Sequence, residues 1–554
     1  MSNSHPWYKS YPKGTNQQID LSKYSSIIDI LEQSMEEYKD LPAYENMGKS
    51  LTFAEIDELS QNFASYLQHN VGLKKGDRIA LQMPNLLQYP VALFGALRAG
   101  LVVVNTNPLY TPREMKHQFK DSGAIAIIIV ANFAHNLEKI LKETSIKTVI
   151  VTKLGDMLGF KGKIVNFVVK HIKKMVPAYN LPEAISFNEA LAIGASKAFN
   201  KPEITLEDNA FLQYTGGTTG VAKGAVLSHK NVVANILQCN EWFLDTKKGK
   251  ELVVTALPLY HIFALTVNGF LMFSLGAKNL LITNPRDMKA FIGELKKVQM
   301  TVFTAVNTLF NGLLNQPDFA NVDFSKLKYS IGGGMAVQGA VAKHWQEVTG
   351  IPLAEGYGLS ETSPLLTCNP LDGTERMGSI GLPVSSTEVC IMDEEGNKQP
   401  AGEIGEICAK GPQVMDGYWQ LPEATKETFF GDWFRTGDIG IMDDDGFFKI
   451  VDRKKDMIIV SGFNVYPNEI EEVIVAHPKV LEVAAIGVED EKTAEAVKVF
   501  IVKKDPSLTE EEIMECCKVD LTNYKRPKHI EFIDELPKSN VGKIIRRLLR
   551  EGES

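Results

Sequence analysis

The run Thr215-Gly-Gly-Thr-Thr-Gly-Val-Ala-Lys223 constrains this chain more than any other feature. It follows Ala210-Phe-Leu-Gln-Tyr214, an apolar segment that reads as a buried strand. A strand that feeds a loop of three glycines, three threonines and a lysine suits a polyphosphate. Glycine lets backbone N–H groups approach the oxygens, threonine hydroxyls add donors, and lysine supplies a point charge. The run is not a Walker A loop. Aligned on Lys223, the second required glycine is Ala222, and Gly224 stands where a magnesium-holding Ser or Thr belongs. A plain surface loop would be unusual here, because flexible linkers seldom carry this set straight after an apolar strand.

A chain of 554 residues exceeds what one hydrophobic core normally serves, so more than one folding unit is expected. The 44% hydrophobic and 23% charged fractions are those of a globular protein. A net charge of −9 argues against nucleic acid as a main partner. The six cysteines form no CxxC pair and read as reduced thiols. Met1-Ser-Asn-Ser-His-Pro6 has neither the basic nor the apolar region of a signal peptide. The expected location is therefore cytoplasmic.

Between Leu252 and Ala277 no residue is charged, which meets the length test for a membrane span. Pro258, His261, Asn268, Gly269 and Gly276 interrupt the stretch, and a buried strand over 252–257 followed by a buried helix over 261–275 is the better reading. Up to about residue 370, strands such as 78–83, 124–130, 147–151 and 300–305 alternate with helical patterns, implying an α/β unit of mostly parallel sheets. From 378 to about 451, short runs between glycine turns imply a small antiparallel β unit. The last hundred or so residues suffice for a separate small α+β domain, with strands near 483–487 and 496–502 and a helix opened by the capping box Thr509-Glu-Glu-Glu512.

Further motifs are individually ambiguous. In Glu355-Gly-Tyr-Gly-Leu-Ser-Glu361, Tyr357 can lie against a purine, Ser360 can donate to a phosphate, and Glu361 can hold magnesium; a turn is the bland alternative. Gly332-Gly-Gly334 permits close backbone approach to a flat ring. Trp433-Phe-Arg-Thr-Gly-Asp438 ends in a carboxylate suited to ribose hydroxyls, or is an ordinary Gly-Asp turn. Val451-Asp-Arg-Lys-Lys-Asp456 alone reads as a solvated charged loop, and Leu536–Arg547, with Lys543 after Gly542, as a basic tail.

Their order changes the reading. Thr215–Lys223, Pro258-Leu-Tyr-His261, Gly356-Tyr-Gly358, Thr436-Gly-Asp438, Arg453-Lys-Lys455 and Pro537–Lys543 resemble the adenylate-forming superfamily in wording and spacing, from about Thr52 to Arg547. That superfamily includes acyl-CoA synthetases, peptide-synthetase adenylation domains and firefly luciferase. Asn85–Ala92, Pro258–Ala264 and Asp456–Pro467 are similar to the bacterial long-chain fatty-acid–CoA ligases within it. Ser360 departs from the more usual threonine but keeps the hydroxyl.

The resemblance implies a two-step reaction. A carboxylate attacks the α-phosphate of MgATP, giving acyl-adenylate and pyrophosphate, and coenzyme A then displaces AMP. It implies an N-terminal domain over 1–452, whose β-rich part is 371–452, a hinge at 453–455, and a small mobile C-terminal domain over 456–554. Thr215, Gly216, Gly217, Thr218, Thr219, Gly220 and Lys223 would hold the β- and γ-phosphates, with Ser360 on a phosphate and Glu361 on Mg2+. Gly333, Gly356 and Tyr357 would frame adenine, and Asp438 and Arg453 the ribose. His261 would stand by the substrate carboxylate, Lys455 would be the hinge, and Lys543 would act in the first step. The C-terminal domain would then turn, bringing Ser461, Gly462, Phe463 and Asn464 to the thiol channel. A long alkyl chain gains roughly 0.8 kcal/mol per buried CH2, so an apolar tunnel is expected.

Two alternatives stay open at this stage. One is an adenylating enzyme that loads a carrier protein, although no carrier domain follows the last motif. The other is a non-catalytic fatty-acid-binding or uptake protein, which the presence of Lys223, Glu361, Asp438, Arg453 and Lys543 disfavours. Residues 160–176 read as an amphipathic helix, with Ile164, Val168, Ile172 and Met175 on one side and Lys163, Lys170 and Lys174 on the other. It either packs on the core through its apolar side or lies on an anionic membrane surface.

Overall fold

The structure is a computed structural model and describes residues 5–215, 222–461, 463–490, 492–539 and 542–552. Two large, mostly parallel sheets organise the first part of the chain. In one, the strands Asn209–Thr215, Val102–Asn105, Arg78–Gln82, Ala126–Val130 and Thr148–Thr152 run parallel, and Lys223–Ser228 is added antiparallel at one side. In the other, Leu353–Gly358, Tyr329–Gly332, Val302–Ala305, Leu252–Thr255 and Lys278–Leu281 are parallel neighbours. Such strands are covered on both faces, which is why they read as nearly unbroken apolar runs.

Helices between the sheets explain the uncharged stretch 252–277. Its second half forms Ile262–Ala264 and a wider-wound turn Leu265–Met272, buried throughout the latter. Phe270 packs on Phe211 of one sheet, while Asn268 hydrogen-bonds Thr255 and Thr304 of the other. The stretch lacks charge because it is enclosed by protein, with its one amide satisfied. No helix among the described residues is long and apolar enough to cross a membrane.

The glycine-punctuated region forms an antiparallel sheet from Glu388–Met392, Gly405–Lys410, Trp433–Met442 and Phe448–Arg453. It begins later than the expected 371, because Leu365–Cys368 and Leu382–Pro383 still belong to the second large sheet. After Lys455 a fourth sheet opens with Ile458–Val460 and centres on Val480–Asp490 paired with Ala494–Lys503. The helix Glu510–Asp520 packs with it and starts at the expected capping box. This last unit has its own cores, one around Ile470, Val483, Val499 and Ile513 and a smaller one around Ile486 and Leu536. It touches the first part through Thr308 Oγ1, which donates to the Gly542 carbonyl at 2.9 Å, and Asn311 Nδ2, which donates to the Leu481 carbonyl at 3.0 Å.

The 160–176 segment departs from a single helix. Gly159–Phe167 is α-helical and continues only to Ile172, since Lys174 takes a φ of +52°. Gly162 and Val169 face the protein, and Asn166 bonds Gly155 and Asp156. Phe160, Ile164, Phe167, Ile172 and Met175 are exposed, and Val168 is half-buried. Its apolar side therefore faces outward, and core packing through that side is excluded.

Candidate active site

Strands Asn209–Thr215 and Lys223–Ser228 form a hairpin in which Thr215 is paired with Lys223. The loop thus joins two strands instead of opening a helix. Gly216, Gly217, Thr218, Thr219 and Gly220 lie outside the described residues. At the hairpin's end, the Lys223 ammonium stands 5.1 Å from the centre of the Tyr418 ring. Tyr418 is on the short strand Gly417–Tyr418, which pairs with Lys223–Ser228. Its hydroxyl donates to Glu361 Oε1 at 2.8 Å. Glu361 is buried, and its backbone carbonyl accepts from Met415 at 2.8 Å. Lys223, Tyr418 and Glu361 are so brought together from three distant parts of the chain. Ser360 opens the one-turn segment that carries Glu361 and is half-buried.

Gly333 and Gly356 lie close together next to the Phe263 ring. A Cβ built on Gly333 would lie 3.0 Å from the Gly356 carbonyl oxygen and 3.1 Å from the Phe263 ring. A side chain at 333 would therefore crowd the Gly356 carbonyl and the Phe263 ring. Beside it, the buried Tyr357 donates its hydroxyl to Asp438 Oδ2 at 2.6 Å. Asp438 and Arg453 are paired across adjacent strands, and Arg453 Nε is 3.3 Å from Asp438 Oδ1. Burial, then the Asp438 charge, push the Tyr357 hydroxyl pKa well up, so it remains a donor.

Lys543 enters from the C-terminal unit on a tight turn. Ser539 N–H donates to its carbonyl at 2.7 Å, and Gly542 takes a φ of +82°. A Cβ on Gly542 would meet Thr308 Oγ1 at 2.7 Å, so only glycine permits this docking. Although the residue as a whole is half-buried, its ammonium lies deep in the cleft. Desolvation first, and then Arg453, lower its pKa to about 7, against the pull of Asp438. His261 caps the helix Ile262–Ala264, its Nδ1 accepting from Phe263 N–H at 3.4 Å. That bond assigns the remaining proton to Nε2. Desolvation and the nearby Lys543 charge hold the His261 pKa at about 4, so the imidazole is a neutral donor.

The residues expected to serve the hinge and the thiol channel follow Arg453 in the chain. Lys455 is exposed in the turn before the fourth sheet, near enough for its charge to act on Lys543, Arg453 and Asp438. Ser461, Phe463 and Asn464 are exposed, with Phe463 stacked on Tyr524 at 4.8 Å, and Gly462 lies outside the described residues. Tyr418 and Thr308 join the site without any local signal in the sequence, since each reaches it only through tertiary contacts.

Residues 31–419 match the AMP-binding enzyme family, and residues 469–543 match the AMP-binding enzyme C-terminal domain. The chain belongs to the AMP-binding enzyme family. Relatives in it include a long-chain-fatty-acid–CoA ligase of Escherichia coli O6:H1, 59% identical over 98% of both chains. One of the same name from Haemophilus influenzae is 54% identical over 99% of this chain and 98% of its own. Among solved structures, an anthranilate CoA ligase crystallised with anthranoyl-AMP superposes with a TM-score of 0.85 at 25% identity, covering 96% of this chain and 99% of that one. This AMP-binding enzyme therefore has the α/β fold with the smaller C-terminal sheet that its sequence implied.

Proposed function

We propose that this AMP-binding enzyme is a long-chain fatty-acid–CoA ligase. It activates a fatty acid with ATP to the acyl-adenylate and transfers the acyl group to coenzyme A, releasing AMP and pyrophosphate. The observation that carries the reading is the convergence of Lys543, His261, Asp438 and Arg453 in one cleft of a chain 59% identical to a ligase of that name. Carrier loading and uptake without catalysis are the readings it displaces. The test is AMP formation across fatty acids of graded length and benzoate, with and without coenzyme A. Turnover with long chains that requires free coenzyme A supports the assignment; turnover confined to aryl acids or to a carrier protein refutes it.

In this account the hairpin loop and Lys223 hold the phosphates, and Tyr357 with Gly333 and Gly356 frames adenine. Asp438 and Arg453 hold the ribose. The neutral His261 donates from Nε2 to the fatty-acid carboxylate without adding a charge that would trap it. Among the described residues no cluster of three or more metal-ligating side chains exists. Glu361 fits the Mg2+ that accompanies ATP, since that ion is commonly held by one or two carboxylates together with substrate phosphates. Bound there, the ion would neutralise phosphate charge. The C-terminal domain turns about Lys455 between the steps, withdrawing Lys543 and presenting Ser461–Asn464 to the thiol.

The depressed pKa of Lys543 gives a pH test. Below about 7 the free enzyme carries the lysine as a cation, and above it as an amine. The adenylation kcat/KM for ATP is therefore expected to fall as pH rises through about 7. Bound phosphates raise the pKa, so kcat holds to higher pH. Lys543→Arg should remove the falling limb, because a guanidinium stays protonated. A limb that persists unchanged in this variant contradicts the assignment.

The outward apolar side of 160–172 and the exposed Lys163, Lys170, Lys173 and Lys174 form a surface suited to an anionic bilayer, in a chain of net charge −9. Peripheral attachment there would place the enzyme where its apolar substrate arrives. Ile164→Asp with Ile172→Asp, and separately the four lysines changed to glutamate, should each reduce flotation with phosphatidylglycerol vesicles about tenfold or more. Unchanged flotation in both contradicts it.

A further inference from the structure

Asp452 has no part in the site, yet it is fully enclosed at the junction of the two domains. It belongs to the strand Phe448–Arg453, on the N-terminal side of Lys455. Its Oδ1 accepts from Arg453 N–H at 2.7 Å, fixing the carboxylate beside the residue that pairs with Asp438. Its Oδ2 accepts from Asn468 N–H at 2.9 Å, on the far side of Lys455.

Asn468 is the second residue of the helix Pro467–Val475. A helix N-terminus presents N–H groups without internal partners, normally satisfied by the side chain of the N-cap residue. Here the N-cap is Tyr466, whose side chain makes no such bond, and Pro467 has no N–H to satisfy. Asp452 therefore caps this helix from outside its own domain. The same corner is tied to the Lys543 segment. Arg546 Nη2 donates to Asn468 Oδ1 at 3.1 Å and to both Glu471 oxygens at 2.8 Å. The Arg546 charge attracts Asp452 and the Glu471 charge repels it, while burial pushes its pKa up to about 6. The carboxylate is held at a desolvation cost, as a contact that must be released would be.

We propose that Asp452 is a positioning residue for the first half-reaction: a helix cap supplied across the hinge, which holds Lys543 in the cleft and is given up when the C-terminal domain turns. The inference rests on the reading of Lys455 as a hinge. Asp452 precedes the hinge, and the helix N-terminus and Arg546 follow it, so rotation there separates the cap from the helix it serves. The contact stabilises one orientation only and biases the population between the two.

The test measures both half-reactions in single turnover, together with energy transfer between labels at the exposed Ser196 and Val519. Asp452→Ala is expected to slow adenylation roughly three- to tenfold, the scale of a lost helix cap. Thioester formation from supplied acyl-adenylate should be unchanged or faster, and the label distance should shift toward that seen with acyl-adenylate and coenzyme A. Asp452→Asn keeps a carbonyl acceptor for Asn468 N–H and should recover most of the adenylation rate. Equal slowing of both steps with an unchanged distance, in variants that melt as folded proteins, would overturn the proposal by making Asp452 an ordinary stabilising contact. A wild-type distance that does not change between the two liganded states would instead remove the hinge, and this inference with it.

Discussion

Lys543→Ala is expected to slow acyl-adenylate formation about a thousandfold while leaving thioester formation from supplied acyl-adenylate within about twofold of wild type. The first step brings a carboxylate against an α-phosphate, anion against anion, so a cation beside the shifting charge lowers the barrier. At about 4 Å and an effective dielectric of about 20, one charge is worth roughly 4 kcal/mol. Each 1.4 kcal/mol or so is tenfold in rate, which sets the expected factor. The charges of Arg453 and Asp438 act on Lys543 in its docked position. Removing the ammonium takes away charge without disturbing the turn that Gly542 and Thr308 hold. A comparable loss in both steps would point to faulty domain packing, and wild-type behaviour in both to a solvated tail. Rapid-quench assay of each half-reaction separates these outcomes.

Gly358→Ala is expected to lower stability by about 2–3 kcal/mol and adenylation by about a hundredfold. A Cβ at this position would lie 1.8 Å from the Pro364 carbonyl oxygen and 2.6 Å from its carbon. These are backbone atoms at the start of the adjoining strand Leu365–Cys368, where the pairing register already shifts. They cannot turn aside as a side chain would. Relief requires displacing the segment that carries Ser360 and Glu361, and a misplacement of about 1 Å at such a site has effects of this size. Gly293→Ala is the control, since a Cβ there meets nothing within 4 Å and alanine favours the helix Met288–Leu295. Denaturant melts and ATP-dependent adenylate formation together check the prediction; a stable, fully active Gly358→Ala variant would contradict the packing argument.

Local signals in the sequence carried much of the architecture. Apolar runs of five or so residues between helical patterns placed the parallel strands, and Thr509 with Glu512 marked a helix start to the residue. The candidate site was legible only through the order of short motifs such as Gly356–Glu361 and Thr436–Asp438, each of which alone also reads as an ordinary turn. It was not legible where partners meet only through tertiary structure. Nothing local tells that Tyr418 reaches Glu361 and Lys223, or that Thr308 receives the Gly542 turn, because those contacts depend on sheet order and domain docking. Asp452 shows the same limit. Within Val451–Asp456 it reads as one charge of a solvated loop, yet it is enclosed because a helix from the next domain lands on it. Residues 160–176 show another limit: periodicity gives the existence of an apolar side but not its direction. Gly162 and Asn166 turn that side outward by packing and hydrogen bonding on Gly155.

The central claim is that the fatty-acid carboxylate attacks the α-phosphate of ATP before coenzyme A takes the acyl group. A long-chain fatty acid labelled in both carboxylate oxygens with 18O tests it most directly. Attack joins one labelled oxygen to the α-phosphorus, and thiol displacement then breaks the acyl carbon–oxygen bond and leaves that oxygen on AMP. The account predicts one 18O in each AMP released and the other in the thioester carbonyl, with formation of AMP strictly dependent on the fatty acid. Label appearing in inorganic phosphate alongside ADP, or unlabelled AMP accompanying acyl-CoA, would contradict it.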